Sequence, residues 1–362
     1  MQFVLVKSRF KFCTLLLVVS LSYICEAIVQ LPPNVTVPAV IAFGDSLVDQ
    51  GNNNGVITPA KATYLPYGKD LLINGKPTGR FSNGKTAMDF VAEELGIGEL
   101  LPAYLDPNLK SSDLLTGVSF ASGASGFDPV TNLLTPHVLS LDRQLELFKE
   151  YIGKLRSLVG EEKANFIVEN SLYLVVSGND DFIVNYFNYV TERKKLDVPT
   201  YANLLASYAL DFVQEIYKLG ARRIGVFAIA PIGCIPAVRT LKGGHQRSCS
   251  DPYNAGATFF NNKMATELPS LKAQLPGSKL VFIDIYSLLE VIIQKPQSFG
   301  FSYVDKGCCG TGYIEVAFLC NPTTSTCPDV DKHFFWDSFH PSQQGYKLLV
   351  QQILSKYKNQ FF

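Results

Sequence analysis

Alternating strand and helix patterns predict a doubly wound α/β domain. Five short apolar runs rich in Val, Ile or Phe carry the strand signal, at 39–43, 117–121, 172–176, 223–229 and 280–285. The runs are unbroken rather than alternating, as expected of strands covered on both faces of a mainly parallel five-stranded sheet. Helical patterns lie between them. One spans 86–95 and is stopped by Gly96. A second, at 141–158, carries Leu145, Phe148, Ile152 and Leu155 at helical spacing. A third spans 201–219 and ends at Gly220. A last one, 342–356, follows Pro341. Loops fill 51–83 and 242–253. No repeat or linker divides the chain, so residues 28–362 read as one domain.

Composition limits the function. The 362 residues are 47% apolar, ample for a core of this size. Lys plus Arg equals Asp plus Glu at 32 each, and no acidic or basic block of five or more occurs. A nucleic-acid binder normally carries a basic excess, so the balance counts against that class. Lys7, Arg9 and Lys11 precede an apolar run from Phe12 to Ile24, followed by Cys25, Glu26 and Ala27. This is the pattern of a cleaved secretory signal over residues 1–27. The run is short of the ~20 residues a membrane span needs, and no later run approaches that length. The reading is a secreted, extracellular protein of the apoplast or cell wall with no integral membrane segment after cleavage.

Secretion changes how the cysteines read. Cys234, Cys249, Cys308, Cys309, Cys320 and Cys327 remain after the signal. An even number in an oxidising compartment points to disulfides. A zinc site is the rival, but adjacent cysteines make a poor zinc pair and no Cys-x-x-Cys spacing occurs. Cys234 and Cys249 bracket a loop rich in Gly and charge, so these two are expected to pair. The other four allow three arrangements. Asn34-Val-Thr36 is a glycosylation acceptor, whereas Asn321-Pro-Thr323 is excluded by its proline. No phosphate loop, metal-ligand set or cofactor motif is present.

Open α/β sheets place their chemistry beyond the carboxyl ends of the strands. Polar clusters stand there. The first run turns into Gly44-Asp45-Ser46-Leu47, which puts Ser46 where a helix would begin. Free N–H groups at such a site suit an attacking serine and the oxyanion it creates. Alone, this is equally an N-cap serine. Asp337-Ser-Phe-His340 near the carboxyl terminus changes the weighing. Residues three apart in a turn share a side, so Asp337 can hold one ring nitrogen of His340 while the other serves as general base. Two further segments offer oxyanion donors. Ser119–Gly126 follows the second run, with Gly126 and also Gly123 available, and Ser177-Gly178-Asn179-Asp180 follows the third. Each alone is ordinary turn chemistry. Their coincidence at the predicted strand ends is what argues for a site.

These blocks resemble the GDSL, or SGNH, hydrolases: Phe43-Gly-Asp-Ser-Leu47, Gly126, Gly178-Asn179-Asp180 and Asp337-x-x-His340. The likeness runs from about residue 38 to 358. The stretch 44–54, Gly79-Arg-Phe-Ser-Asn-Gly84 and Pro231-Ile-Gly-Cys234 are similar to the plant branch, and within it to extracellular lipases of the anther and pollen coat. The resemblance implies a flavodoxin-like three-layer α/β/α fold and an esterase or lipase acting on acyl esters. It implies Ser46 as nucleophile, Asp337 and His340 as its partners, and the Ser46 N–H, Gly126 and Asn179 as the oxyanion hole. Asp45 reads as a turn-holding residue, and Asp49 with Asn52–Asn54 as braces behind Ser46. Asp180 and Asp181 read as a helix start. Trp336 reads as loop packing. Competing functions are an esterase on cell-wall acetyl or feruloyl groups and a non-catalytic binding protein on the same fold.

Overall fold

The computed structural model describes residues 29–189 and 191–362. The signal segment 1–27 lies outside them. Four parallel strands form the central sheet in the spatial order β1 (Val40–Gly44), β2 (Leu172–Val176), β3 (Arg223–Phe227) and β4 (Lys279–Ile283). β1 and β2 are buried at every residue, which explains their unbroken apolarity.

The fifth expected strand, 117–121, runs along the free edge of β1 but makes only one complete bridge, Ala42 with Ser119. Backbone bonding continues past that rung, where the Ser122 N–H donates to the Gly44 carbonyl at 2.9 Å, while the Gly44 N–H itself donates to Gln144 Oε1. The spatial order is therefore 117–121, β1, β2, β3, β4. The chain reverses its direction of travel across the sheet at β1 and β2, where ligands bind in such folds.

Among the described residues the α-helices follow the chain order α1 (Ala87–Glu94), α2 (Pro129–Leu134), α3 (Leu141–Val159), α4 (Glu161–Asn170), α5 (Val198–Lys218), α6 (Pro236–Lys242), α7 (Asp251–Gln274), α8 (Ile285–Gln294) and α9 (Gln343–Phe361). α3, α5 and α7 form one outer layer; α1 and α9 form the other. Phe43 of β1 meets Phe148 of α3 and Phe212 of α5 edge-on, so the first strand is wedged into the core by aromatic contacts. Ser140, Asp197 and Ser342 cap α3, α5 and α9 by accepting N–H groups of the first turn. α7 was not expected. Gly256, Ala257 and Asn261 interrupt its buried face, and Pro269 lies within it, so its apolar stripe is weak.

A second, two-stranded parallel sheet pairs β5 (Tyr303–Gly307) with β6 (His333–Phe335) just before the terminal helix. Among the described residues three disulfides are formed: Cys234–Cys249, Cys308–Cys327 and Cys309–Cys320. The latter two knot residues 308–327 against the turn after β6, where the N–H groups of Cys308 and Cys309 both donate to the Trp336 carbonyl at 2.8 Å. Trp336 is wholly buried in this knot. Among the described residues no helix is long and apolar enough to cross a membrane.

Candidate active site

The Ser46 turn is built around one glycine. Gly44 has φ 134°, and a Cβ there would sit 1.7 Å from the Val176 carbonyl oxygen, so only glycine lets β1 end this close to β2. Gln144 clasps Gly44 from both sides, accepting its N–H at 2.8 Å and donating to its carbonyl at 2.9 Å. Ser46 then lies in a tight turn, not at a helix start as expected. The turn is closed by Asp45, whose Oδ1 accepts the Leu47 N–H and whose carbonyl accepts that of Val48. Asp49 replaces the missing helix as the organiser of the next segment. Its carboxylate accepts N–H groups from Gly51, Asn52 and Gly123. The Asn52 amide donates to the carbonyls of Ser119 and Ala121, binding this loop to the edge segment.

The second half of the site is the turn between β6 and α9. The Trp336 N–H donates to the His340 carbonyl, and the Ser342 N–H to that of Phe334. Inside this turn Asp337 Oδ1 accepts the N–H groups of Phe339 and His340. Asp337 Oδ2 lies 2.7 Å from His340 Nδ1, and His340 Nε2 lies 2.7 Å from Ser46 Oγ. With Nδ1–H donating to the carboxylate, Nε2 carries the lone pair that can accept the serine proton. Phe81 packs tilted against the imidazole, with ring centroids 4.9 Å apart and planes 32° from parallel. Asp337 and His340 are buried, so the pair is shielded from bulk water.

Asn179 emerges beyond β2 beside Ser46 because Gly44 and Val176 are paired residues of adjacent strands. The Ala230 N–H donates to its Oδ1 at 3.2 Å, which fixes the amide with Nδ2 toward Asp45, 3.4 Å away. That long contact leaves the amide able to donate to a charge formed on a substrate. The Gly126 N–H is already engaged, donating to Asn132 Oδ1, and its Cα faces the Asp181 carboxylate. The Gly123 N–H is taken by Asp49. The expected second block thus braces the site. Asp180 and Asp181 stand at the start of the helical segment Asp181–Tyr186, as expected, and the Asp181 carboxylate accepts the N–H groups of Phe127 and Asp128 and the Thr131 hydroxyl, pinning the loop after Gly126.

Ser46, His340, Asn179 and Asp180 open onto a cleft. Its wall beyond them is almost entirely apolar, with Val176, Phe227, Ile285, Leu289, Leu349 and Ile353 along its length. Among the described residues no group of three or more His, Cys, Asp or Glu is arranged to hold a metal ion.

Residues 40–353 match the GDSL-like Lipase/Acylhydrolase family. The chain belongs to this family. Among its relatives are the GDSL esterase/lipases EXL3 and EXL2 of Arabidopsis thaliana. EXL3 is 51% identical over 357 residues, covering 98% of this chain and 96% of the relative. EXL2 is 43% identical over 359 residues, covering 95% and 94%. A third GDSL esterase/lipase of the same plant is 49% identical over 331 residues, covering 91% of this chain and 88% of the relative. The protein is therefore a plant-type GDSL esterase/lipase, a carboxylic ester hydrolase.

Two buried carboxyls beside the GDSL turn give a pH signature. Burial pushes Asp45 up to about 6, against the opposing pull of the Leu47 N–H, the Asn179 amide and His340. Burial likewise pushes Asp49 up to about 6 despite the three N–H groups it accepts. A carboxyl raised on folding binds its proton more tightly in the folded state. Its stabilising contribution is complete below the unfolded value near 3.8 and is lost as pH rises through about 6. Asp45→Asn cannot titrate. Its unfolding free energy relative to wild type is expected to improve by about 3 kcal/mol between roughly pH 4 and pH 8. Urea midpoints across that range check this; parallel profiles for the two proteins would contradict it.

Proposed function

We propose that this GDSL hydrolase is a secreted serine esterase whose substrates are carboxylic esters of an extended apolar acyl group. Ser46 Oγ attacks the ester carbonyl while His340 Nε2 takes its proton, and Asp337 orients and stabilises the resulting imidazolium. The oxyanion is held by the Ser46 N–H and the Asn179 amide. His340 then gives its proton to the leaving alcohol, leaving an acyl-Ser46 ester. Water, deprotonated by His340, releases the acid and restores the serine. The observation that carries this reading is the unbroken contact from Asp337 through His340 to Ser46, both links 2.7 Å, at the mouth of an apolar cleft.

Secretion is supported by the signal pattern at 1–27, by three disulfides in one domain, and by the exposure of Asn34, the proposed glycosylation site, at the start of residues 28–362. The cleft wall favours an acyl chain over an acetyl group, because burying each methylene contributes about 0.8 kcal/mol. A series of p-nitrophenyl esters from acetyl to long chain tests the assignment. kcat/KM is expected to rise roughly fourfold per added methylene until the cleft is filled. A maximum at acetyl would favour cell-wall deacetylation, and no turnover on any ester would favour a binding protein.

A further inference from the structure

Tyr67 lies in the long loop between the Ser46 turn and α1, 270 residues before Asp337. It is wholly buried. Its hydroxyl donates to Asp337 Oδ2 at 2.6 Å, the same oxygen that accepts His340 Nδ1–H. Asp337 therefore accepts four hydrogen bonds, two backbone N–H groups on Oδ1 and Tyr67 with His340 on Oδ2. The Tyr67 oxygen in turn accepts the Ala317 N–H at 2.9 Å. Ala317 lies inside the segment knotted by the Cys308–Cys327 and Cys309–Cys320 disulfides. The Tyr67 ring also meets Phe81 edge-on, and Phe81 packs tilted against His340. One side chain thus contacts the carboxylate through its hydroxyl and, through its ring, the Phe81 ring that lies against the imidazole. Burial and the neighbouring Asp337 hold the phenol well above its ordinary range, so it acts as a donor throughout the working pH.

We propose that Tyr67 is a positioning residue for the His340–Asp337 pair, transmitting the rigidity of the disulfide knot to the catalytic base and tempering the charge on Asp337 Oδ2. The inference rests on the esterase reading of the Ser46 site. Two consequences separate it from a role in folding alone. Without the phenolic donor, Oδ2 keeps more of its negative charge for the His340 Nδ1–H, so the imidazole becomes more basic. The carboxylate also loses one of its four fixing contacts, so Nε2 is held less firmly on Ser46 Oγ.

Tyr67→Phe keeps the ring and removes only the donor. Sites are counted by fluorophosphonate titration, so that unfolded protein does not enter the rate. Per titrated site, kcat should fall about tenfold, the scale of one charge-assisted hydrogen bond, with KM within about twofold. The acid limb of kcat/KM should move to higher pH. Unchanged kcat and limb per site, with only a lowered thermal midpoint, would overturn the proposal. A second readout does not depend on turnover: the low-field proton resonance of the His340 Nδ1–H should shift between wild type and Tyr67→Phe. An unmoved resonance would overturn the proposal even if no ester were hydrolysed. Failure of the esterase reading would show separately, as wild-type protein inert to every ester and to the fluorophosphonate.

Discussion

His340→Ala is expected to lower kcat by about 10⁴-fold or more, with the folded state retained. The serine hydroxyl is a weak nucleophile at neutral pH and depends on removal of its proton as the bond to carbon forms. Nε2, 2.7 Å from Oγ, is placed to do that, and the same nitrogen must later protonate the leaving alcohol. Both halves of the reaction fail together without it. Loss of folding is not the expected cause, since the turn is held by backbone bonds from Trp336 and Ser342 that the side chain does not make. Asp337→Ala is expected to be as damaging to rate and more damaging to the fold. Its carboxylate accepts two N–H groups of its own turn and the Tyr67 hydroxyl, all of which would be left buried without partners. Steady-state kinetics beside a thermal melt separate the two effects. A His340→Ala protein with more than about a tenth of wild-type kcat would remove His340 from the reaction.

The second large effect is Asn179→Ala, expected to cost roughly 10²–10³ in kcat, the scale of one lost oxyanion donor. In the resting site Nδ2 makes only a 3.4 Å contact with Asp45, so little is gained from it before charge develops. The bond strengthens in the transition state, and KM should therefore change little. The rigid anchoring of Oδ1 by the Ala230 N–H means that no reorientation is needed when the oxyanion forms. A sharp rise in KM at constant kcat would instead make Asn179 a substrate-binding residue.

Much of this site was legible in the sequence because parallel α/β topology is informative. Once 39–43 and 172–176 read as buried strands, Ser46 and Asn179 had to emerge at one sheet edge, and the structure places them on adjacent strand ends. The spacing of Asp337 and His340 likewise determines which groups share a turn. Expectations were weaker where a contact depends on the direction of a backbone N–H. Gly126 supplies a flexible backbone, but its N–H follows Asn132, and sequence does not encode that direction. Gln144 had a readable signal: a polar residue beside Leu145 and Phe148 on the apolar face of a helix needs a buried partner, and Gly44 is that partner. Tyr67 had none. An aromatic in a loop with Pro and Gly is unremarkable until the fold brings it against Asp337, 270 residues away. α7 was hidden because small and polar residues occupy much of its buried face, against α5, whose buried positions are nearly all apolar.

The central claim is that Ser46 forms a covalent bond to the acyl group. The most direct measurement is intact-protein and peptide mass spectrometry of enzyme quenched in acid during turnover of a medium-chain p-nitrophenyl ester. The account predicts one added acyl mass per protein, on the peptide containing Ser46, absent from Ser46→Ala and prolonged when deacylation is slowed. An enzyme that turns over the ester at full rate with no acylated Ser46 peptide at any quench time, or whose Ser46→Ala variant stays active, would contradict it.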